Sequence, residues 1–348
     1  MNQKTSSYFN CNLFEQNISD YSNFSFEQDE VKLVDRIDTS KFKIEKIKYT
    51  CSFYFNSNLD ISKPLILIPT KDNLELIEFT LNNLKAFKID EIANILVIDD
   101  RSQVNHSEIC KKHSVNCLRV DNEKGFNFSM LINIGIKLAI DKNIEHVVLW
   151  NNDLWANSES TLPILLEKHR KSRSTITGTK LIYPPFKWDG KDERKDVQEM
   201  FGLTKTHRGT IQFGGSNMIF NNQLNNYMIG HRCRFFEPSD PRCDMDKNEI
   251  FLTGAFQIIN TSWLKETGGL NPSLAKAYQD VDICFKAVKD KKKLMYFGEN
   301  LSFYHDESLS QTDTKAKFDL QFLSDQVLMY KIWNRTEFEL HLLGMSHE

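Results

Sequence analysis

Two acidic clusters and one histidine hold most of the chemistry open to this 348-residue chain: Asn151-Asn152-Asp153, Gln279-Asp280-Val281-Asp282 and His305. The first cluster closes a strand-like run, His146–Trp150. A carboxylate at a strand tip offers a hard oxygen, and a divalent cation bridging two phosphates usually takes only one or two carboxylates from its protein. The second cluster opens a helix-like run after the Gly268-Gly269 turn, where Asp280 is placed to act as a base beside an acceptor. Each group also has a plainer reading. Asn-Asp at a strand end is ordinary turn chemistry, and an aspartate at a helix start caps backbone amides. Asp282 and Lys286, four apart, pair on a helix surface, and a lone histidine is more often structural than a ligand. Taken together, the clusters point to a site for a metal–diphosphate with a separate carboxylate base.

The elements that must position these groups follow from apolar patterning. Pro64–Thr70 is a short continuous apolar run, the mark of a buried parallel strand. Leu74, Ile77, Leu81, Leu84 and Phe87 then recur at helical spacing. A second strand, Ala93–Ile98, ends in Asp99-Asp100, and a helix over Ser107–His113 leads to a third, Asn116–Val120. Ser129–Ile140 reads as helix and Glu145–Trp150 as the fourth strand. This alternation predicts an α/β fold with a parallel sheet and ligands at the carboxyl ends of its strands, where Thr70, Asp99, Asp100 and Asp153 fall. Further on, a helix is predicted over Ser160–Ser172, a strand over Thr175–Tyr183, and a loop-rich stretch from Pro184 to Asn248. Strands over Ile250–Asn260 and Lys293–Phe297 flank a helix over Asp280–Lys289, and an amphipathic helix spans Lys315–Trp333. Before residue 60 only Lys43–Phe55 alternates enough for a strand or two.

Composition excludes several classes. The net charge of −3 provides no global field for nucleic acid or an anionic membrane. The first residues lack an apolar signal-peptide core, and no apolar run approaches the ~18 residues of a spanning helix. The seven cysteines are odd in number and lack CxxC spacing, so the expectation is reduced thiols in a cytoplasmic protein rather than a disulfide framework or a zinc site.

From about Lys63 to His305 the chain resembles the family 2 glycosyltransferases of GT-A fold, especially the bacterial branch of rhamnosyl- and galactofuranosyltransferase-like proteins. The resembling blocks are ILIPTKDN at 66–73, VIDDRS at 97–102, GFNFSMLINIGI at 125–136, LWNND at 149–153, FLTGAFQIIN at 251–260, ETGGLNPSLAKAYQDVDICFK at 266–286 and YH at 304–305. Several blocks in one order are more specific than any of them alone. The resemblance implies a Rossmann-like mixed sheet flanked by helices. It assigns Pro69, Thr70, Asp99, Asp100, Gly125, Asn133 and Asn152 to the nucleotide-sugar, and Asp153, His305 and Asn151 to a Mn2+ or Mg2+ ion. Asp280 becomes the catalytic base, with Gly268, Gly269 and Asp282 beside the acceptor. Asn151 stands where the family's DxD element begins with aspartate, Gln279 where the base has an acidic partner, and Lys286 where arginine is common.

The implied activity is inverting sugar transfer from a UDP- or dTDP-sugar to a hydroxyl of a glycan or lipid-linked glycan, in cell-surface polysaccharide synthesis. The expected organisation is an N-terminal extension (1–60), a catalytic domain (61–310) and a C-terminal helical segment (311–348). The expected location is cytoplasmic, with at most peripheral membrane association and no nucleic-acid partner. A catalytically silent sugar-nucleotide or glycan-binding module on the same fold is the alternative. A nicotinamide-dependent Rossmann enzyme is disfavoured because Pro69–Asn73 lacks the Gly-rich turn such enzymes need after the first strand.

Overall fold

A computed structural model describes residue 18 and residues 22–35, 37–55, 58–122, 125–188, 207–307 and 320–345. At its centre lie four parallel strands, β3 (Leu65–Thr70), β4 (Asn94–Asp100), β5 (Asn116–Asp121) and β6 (His146–Trp150), in the spatial order β5-β4-β3-β6. Every residue of β3 and β6 is buried, as continuous apolar runs covered on both faces must be. Helix α1 (Leu74–Ala86) starts where the Asn73 side chain accepts the Leu76 N–H at 3.0 Å. After it come α2 (Ile89–Ile92), α3 (Ser107–Lys112) and α4 (Phe128–Asp141). Asn127 caps α4 through the Met130 N–H. Gly135 lets α4 lie close on the sheet, since a Cβ there would sit 2.6 Å from Leu67 Cδ2.

Both margins of this parallel core are extended. On one side β1 (Asn23–Leu33) and β2 (Phe42–Phe55) form an antiparallel hairpin, and β2 pairs antiparallel with β5. Most of the described N-terminal extension therefore belongs to the main sheet, as its first pair of strands. The sequence pattern picks out only the second of them, because β1 is polar at most of its alternate positions. On the other side the order continues β6-β13-β8-β14-β12, with β8 (Ile176–Ile182), β12 (Asp246–Asn248), β13 (Phe256–Asn260) and β14 (Leu294–His305). β13 runs antiparallel to both β6 and β8, which makes the sheet mixed. Two short strands, β7 (Leu154–Trp155) and β9 (Ile211–Phe213), join at β14 and β8. β10 (Ser216–Asn221) and β11 (Asn226–His231) make a separate hairpin.

Helices α5 (Thr161–Ser172), α6 (Thr261–Thr267) and α7 (Gln279–Lys289) flank the second half. The expected final helix is observed over Leu320–Ile332 (α8), its predicted start lying outside the described residues, and α9 (Arg335–Met345) follows it. Phe285 of α7 packs edge-on against Trp333 and Phe338, so these two C-terminal aromatics face inward onto α7, while Phe322 stays exposed. No helix among the described residues is long and apolar enough to cross a membrane. The α/β class read from the sequence, a large mixed sheet flanked by helices, is the one observed.

Candidate active site

The strand tips gather the acidic residues at one edge of the sheet. Asp153 follows β6, and β7 then pairs antiparallel with the end of β14, setting Leu154 opposite His305. That register brings His305 Nε2 to 3.2 Å from Asp153 Oδ1, with both side chains nearly buried. Burial works against a charged imidazole, yet the Asp153 carboxylate holds His305 above its ordinary value. Adjacent ligands of an octahedral ion with bonds of about 2.1 Å stand about 3 Å apart, so this pair fits a shared divalent cation. A carboxylate oxygen and an imidazole nitrogen are also donors that Mn2+ accepts.

Asp280 lies in the first turn of α7. Its Oδ2 accepts the Gly254 N–H at 2.8 Å and its Oδ1 the Val281 N–H at 2.9 Å. Burial pushes the carboxyl above its ordinary value against those two donors, although the residue keeps an opening to solvent. Gly254 permits the approach: a Cβ there would be 3.0 Å from Asp280 Cβ. The next residue, Ala255, accepts the Asn151 N–H at 3.1 Å. Consecutive residues of one loop thus hold Asp280 on one side and the Asn151–Asp153 turn on the other, bringing the aspartates and His305 into one neighbourhood.

At the tips of β3 and β4, Thr70 Oγ1 accepts Asn152 Nδ2 at 3.3 Å, which ties the first strand to the metal-side turn. Asp100 takes Lys71 Nζ and Asn122 Nδ2, each at 3.1 Å. Burial raises its carboxyl, with Lys71 opposing. Gly125, at φ +106°, gives its N–H to Asn122 Oδ1 at 2.9 Å and so borders the same corner. Pro69 lies within β3, one residue short of the tip.

Other expected contacts point elsewhere. Asp99 turns from the edge to the Ser102 N–H at 3.0 Å and to Arg119 and His106. Burial opposes ionisation there, but those hydrogen bonds hold its carboxyl low. Asn133 spends both ends of its amide on the Leu270 backbone, at 2.8 and 2.9 Å. Gly268 and Gly269, at φ +78° and +77°, end α6 by donating to Leu264 O, as left-handed helix caps do. Asp282 is fully buried between Trp333 Nε1 at 2.8 Å and Lys286 Nζ at 3.0 Å. For these residues the plain readings, capping and pairing, describe the contacts better than ligand binding does.

The structure adds residues that pattern reading passed over. Lys71 neutralises Asp100, and its signal lay inside the 66–73 block. Arg234 grips Glu307 through two nitrogens at 2.8 and 3.2 Å, and Tyr183 donates to the same carboxylate at 2.8 Å. Although burial disfavours the charge, Arg234 holds Glu307 down to about 2. Arg208 comes within 3.6 Å of Asp306. The cationic side of this edge comes from the segment that looked like loop.

Residues 65–234 match the family model described as Glycosyl transferase family 2. No curated protein matches the chain. Among solved structures the chain is similar to GalNAc-T7 with UDP, GalNAc and Mn2+, at 14% identity and a TM-score of 0.47, over 72% of this chain and 44% of that one. It therefore spans less than half of that protein's length. It is also similar to the mannosyltransferase PcManGT from Pyrobaculum calidifontis in complex with GDP-Man and Mn2+, at 11% identity and TM-score 0.44, over 84% and 76% of the two chains. For S. aureus TarS 1-349 the values are 14% and 0.43, over 78% and 71%. The family match takes in the four parallel strands and the Asn151–Asp153 turn but ends before Asp280 and His305. The central segment of the chain, residues 65–234, is thus of the glycosyl transferase family 2 type.

Proposed function

We propose that the protein is an inverting, metal-dependent glycosyltransferase. It moves a hexose or deoxyhexose from a UDP- or dTDP-sugar to a hydroxyl of a glycan or lipid-linked glycan in cell-surface polysaccharide synthesis, as its rhamnosyl- and galactofuranosyltransferase-like motifs suggest. The observation that carries this reading is the Asp153–His305 pair, beside a Gly254-Ala255 loop that hydrogen-bonds both Asp280 and Asn151.

Asp153 and His305 would hold Mn2+ or Mg2+, with Asn151 beside them, and the bound ion supplies charge neutralisation for a diphosphate leaving group. Thr70 and Asn152 line the approach to that turn, while Asp100, Lys71 and Gly125 border the nucleoside end. Asp280 takes the proton of the attacking hydroxyl. Its raised carboxyl makes it a stronger base once ionised, and the Gly254 and Val281 N–H groups fix its orientation while leaving each oxygen a lone pair for that proton. Gln279 in place of an acidic neighbour spares Asp280 a like charge that would raise it further.

Incubating the protein with a panel of sugar nucleotides and Mn2+ tests the proposal. The expected result is metal-dependent release of nucleoside diphosphate from one donor, accelerated by a glycan acceptor. Tight donor binding with no release under any acceptor would leave a binding module instead. No binding across the panel would sink both readings.

A further inference from the structure

Away from this edge, the segment between β9 and β12 brings two thiols and a carboxylate together. The Sγ atoms of Cys233 and Cys243 and a carboxylate oxygen of Asp240 all lie within 4.8 Å of one another. The cluster is built by its backbone. Asp240 O accepts the N–H groups of Cys243 and Asp244, at 3.0 and 2.9 Å, and the Cys243 thiol at 3.1 Å. Cys243 O in turn accepts the buried Tyr296 hydroxyl at 2.8 Å. Gly214 makes the meeting of the thiols sterically allowed, since a Cβ there would stand 2.7 Å from Cys243 Cβ and 3.1 Å from Cys233 Cβ. Cys233 itself is held at φ +57°, a left-handed conformation that non-glycine residues adopt only under constraint.

We infer that Cys233, Cys243 and Asp240 form a second metal site, for a thiophilic divalent cation of the zinc class. Tetrahedral Zn–S bonds of about 2.3 Å set two sulfurs about 3.8 Å apart, so the cluster needs to contract by roughly 1 Å or less. Asp240 Oδ1 accepts the Arg242 backbone N–H and Nε at 3.0 and 2.9 Å, while Oδ2 accepts only Arg242 Nη2 at 2.6 Å and keeps a lone pair for a metal. Ligating carboxylates are commonly steadied by such an outer partner. Two thiolates, one carboxylate, the guanidinium and a dication sum to zero charge, which favours occupancy of a half-buried place. Binding M2+ to the two thiols forms two M–S bonds and releases two protons to solvent. The ion would pin the loop that carries Arg234 to Glu307. The inference is independent of the sugar-transfer reading. It would also correct the sequence expectation of no zinc site, because nine residues between the cysteines hide the pair from spacing rules.

Cobalt titration of the full chain, stripped by chelator under reductant, is the test. A thiolate-to-cobalt charge-transfer band that corresponds to one Co2+ per chain and is displaced by Zn2+ is expected. Asp153→Ala should leave that band intact, since the Asp153–His305 pair contains no sulfur. Cys233→Ser should abolish it, and Gly214→Ala, whose added methyl crowds the Cβ atoms of Cys243 and Cys233, should weaken binding by about 10–100-fold, the scale of an outer-shell change. If Cys233→Ser fails to fold, zinc protection of Cys233 against alkylation in the unaltered chain gives the same answer. A band that survives in Cys233→Ser, equal alkylation with and without Zn2+, or a Cys233–Cys243 disulfide in protein purified without reductant would each overturn the inference.

Discussion

At the residue scale the decisive contact is between Gly254 and Asp280. Replacing Asp280 with asparagine keeps the shape but removes the proton acceptor. Turnover should fall by about 10²–10⁴-fold, while donor affinity, measured by calorimetry, stays within a few-fold. Gly254→Ala tests the same role without touching the base. Its added methyl stands 3.0 Å from Asp280 Cβ, so the carboxylate must shift by a few tenths of an ångström. The expected result is a fall in kcat larger than any rise in donor KM, because a displaced base impairs the transition state more than ground-state binding. Unchanged kcat in both variants would remove Asp280 from the chemistry. Asp153→Ala belongs to the same scale: donor binding in this variant should become equal with and without Mn2+. Retained metal dependence would place the ion elsewhere.

At the element scale, α8 acts as a clamp on the chain that leads into α7. Asp325, fully buried in α8, accepts the Lys276 and Ala277 N–H groups at 2.6 and 3.0 Å, and Gln321 steadies its other oxygen at 2.7 Å. Gln326 donates to the Tyr278 hydroxyl at 3.1 Å. Tyr278, at φ +64°, sits in a left-handed conformation that costs on the order of 1 kcal/mol and persists only when its surroundings enforce it. Asp325→Ala should therefore lower stability by about 1–3 kcal/mol, read as a shift of the urea midpoint, by leaving buried N–H groups without their acceptor. Because Asp280 is two residues beyond Tyr278, kcat should fall as well; a stability loss with kcat intact would limit the clamp to folding. None of this was legible in the sequence, where Asp325 is one polar position in an amphipathic pattern. The helices and central strands were legible because periodicity reports burial directly, as in α1 and β3. The run Ile250–Asn260 was not: it reads as one strand, but only Phe256–Asn260 pairs, and Gly254 is needed as a close approach to another element. Asn133, Gly268, Gly269 and Asp282 show the converse. Motif position marked them for ligand, while their hydrogen bonds go to the frame that holds Asp280 and the sheet together.

At the scale of the whole molecule, buried histidines set the response to acid. His146, His169, His231 and His341 are each depressed to about 4, burial being the first cause in every case. Their neutral rings are also used structurally. His169 bridges Thr177 and Asn260 at 2.7 and 2.8 Å, and His341 stacks on Phe285 with centroids 3.9 Å apart. A histidine whose folded value lies below its unfolded value near 6.5 binds fewer protons when folded, so stability rises with pH between the two. The folded state is thus fully favoured above about 6.5 and loses that support as pH falls toward about 4, by up to about 5 kcal/mol per pH unit if all four act together. Asp325 runs the other way: burial raises it to about 6 from 3.8, so its contribution is full below 3.8 and fades as pH rises through 6. His305, Asp280 and Asp100, also raised, join Asp325 on the opposing side, so the drop toward acid requires the four depressed histidines to outweigh them. Glu307, held at about 2 against 4.5 unfolded, adds a further loss only below pH 4.5. Melting temperatures taken from pH 7.5 down to 4 should therefore begin to drop near 6.5, well above the range in which unperturbed carboxylates titrate. His169→Gln keeps polar contacts to Thr177 and Asn260 without a titrating ring, and it should flatten that drop. A profile level down to pH 5, or one unchanged by the substitution, would show that these rings do not govern acid unfolding.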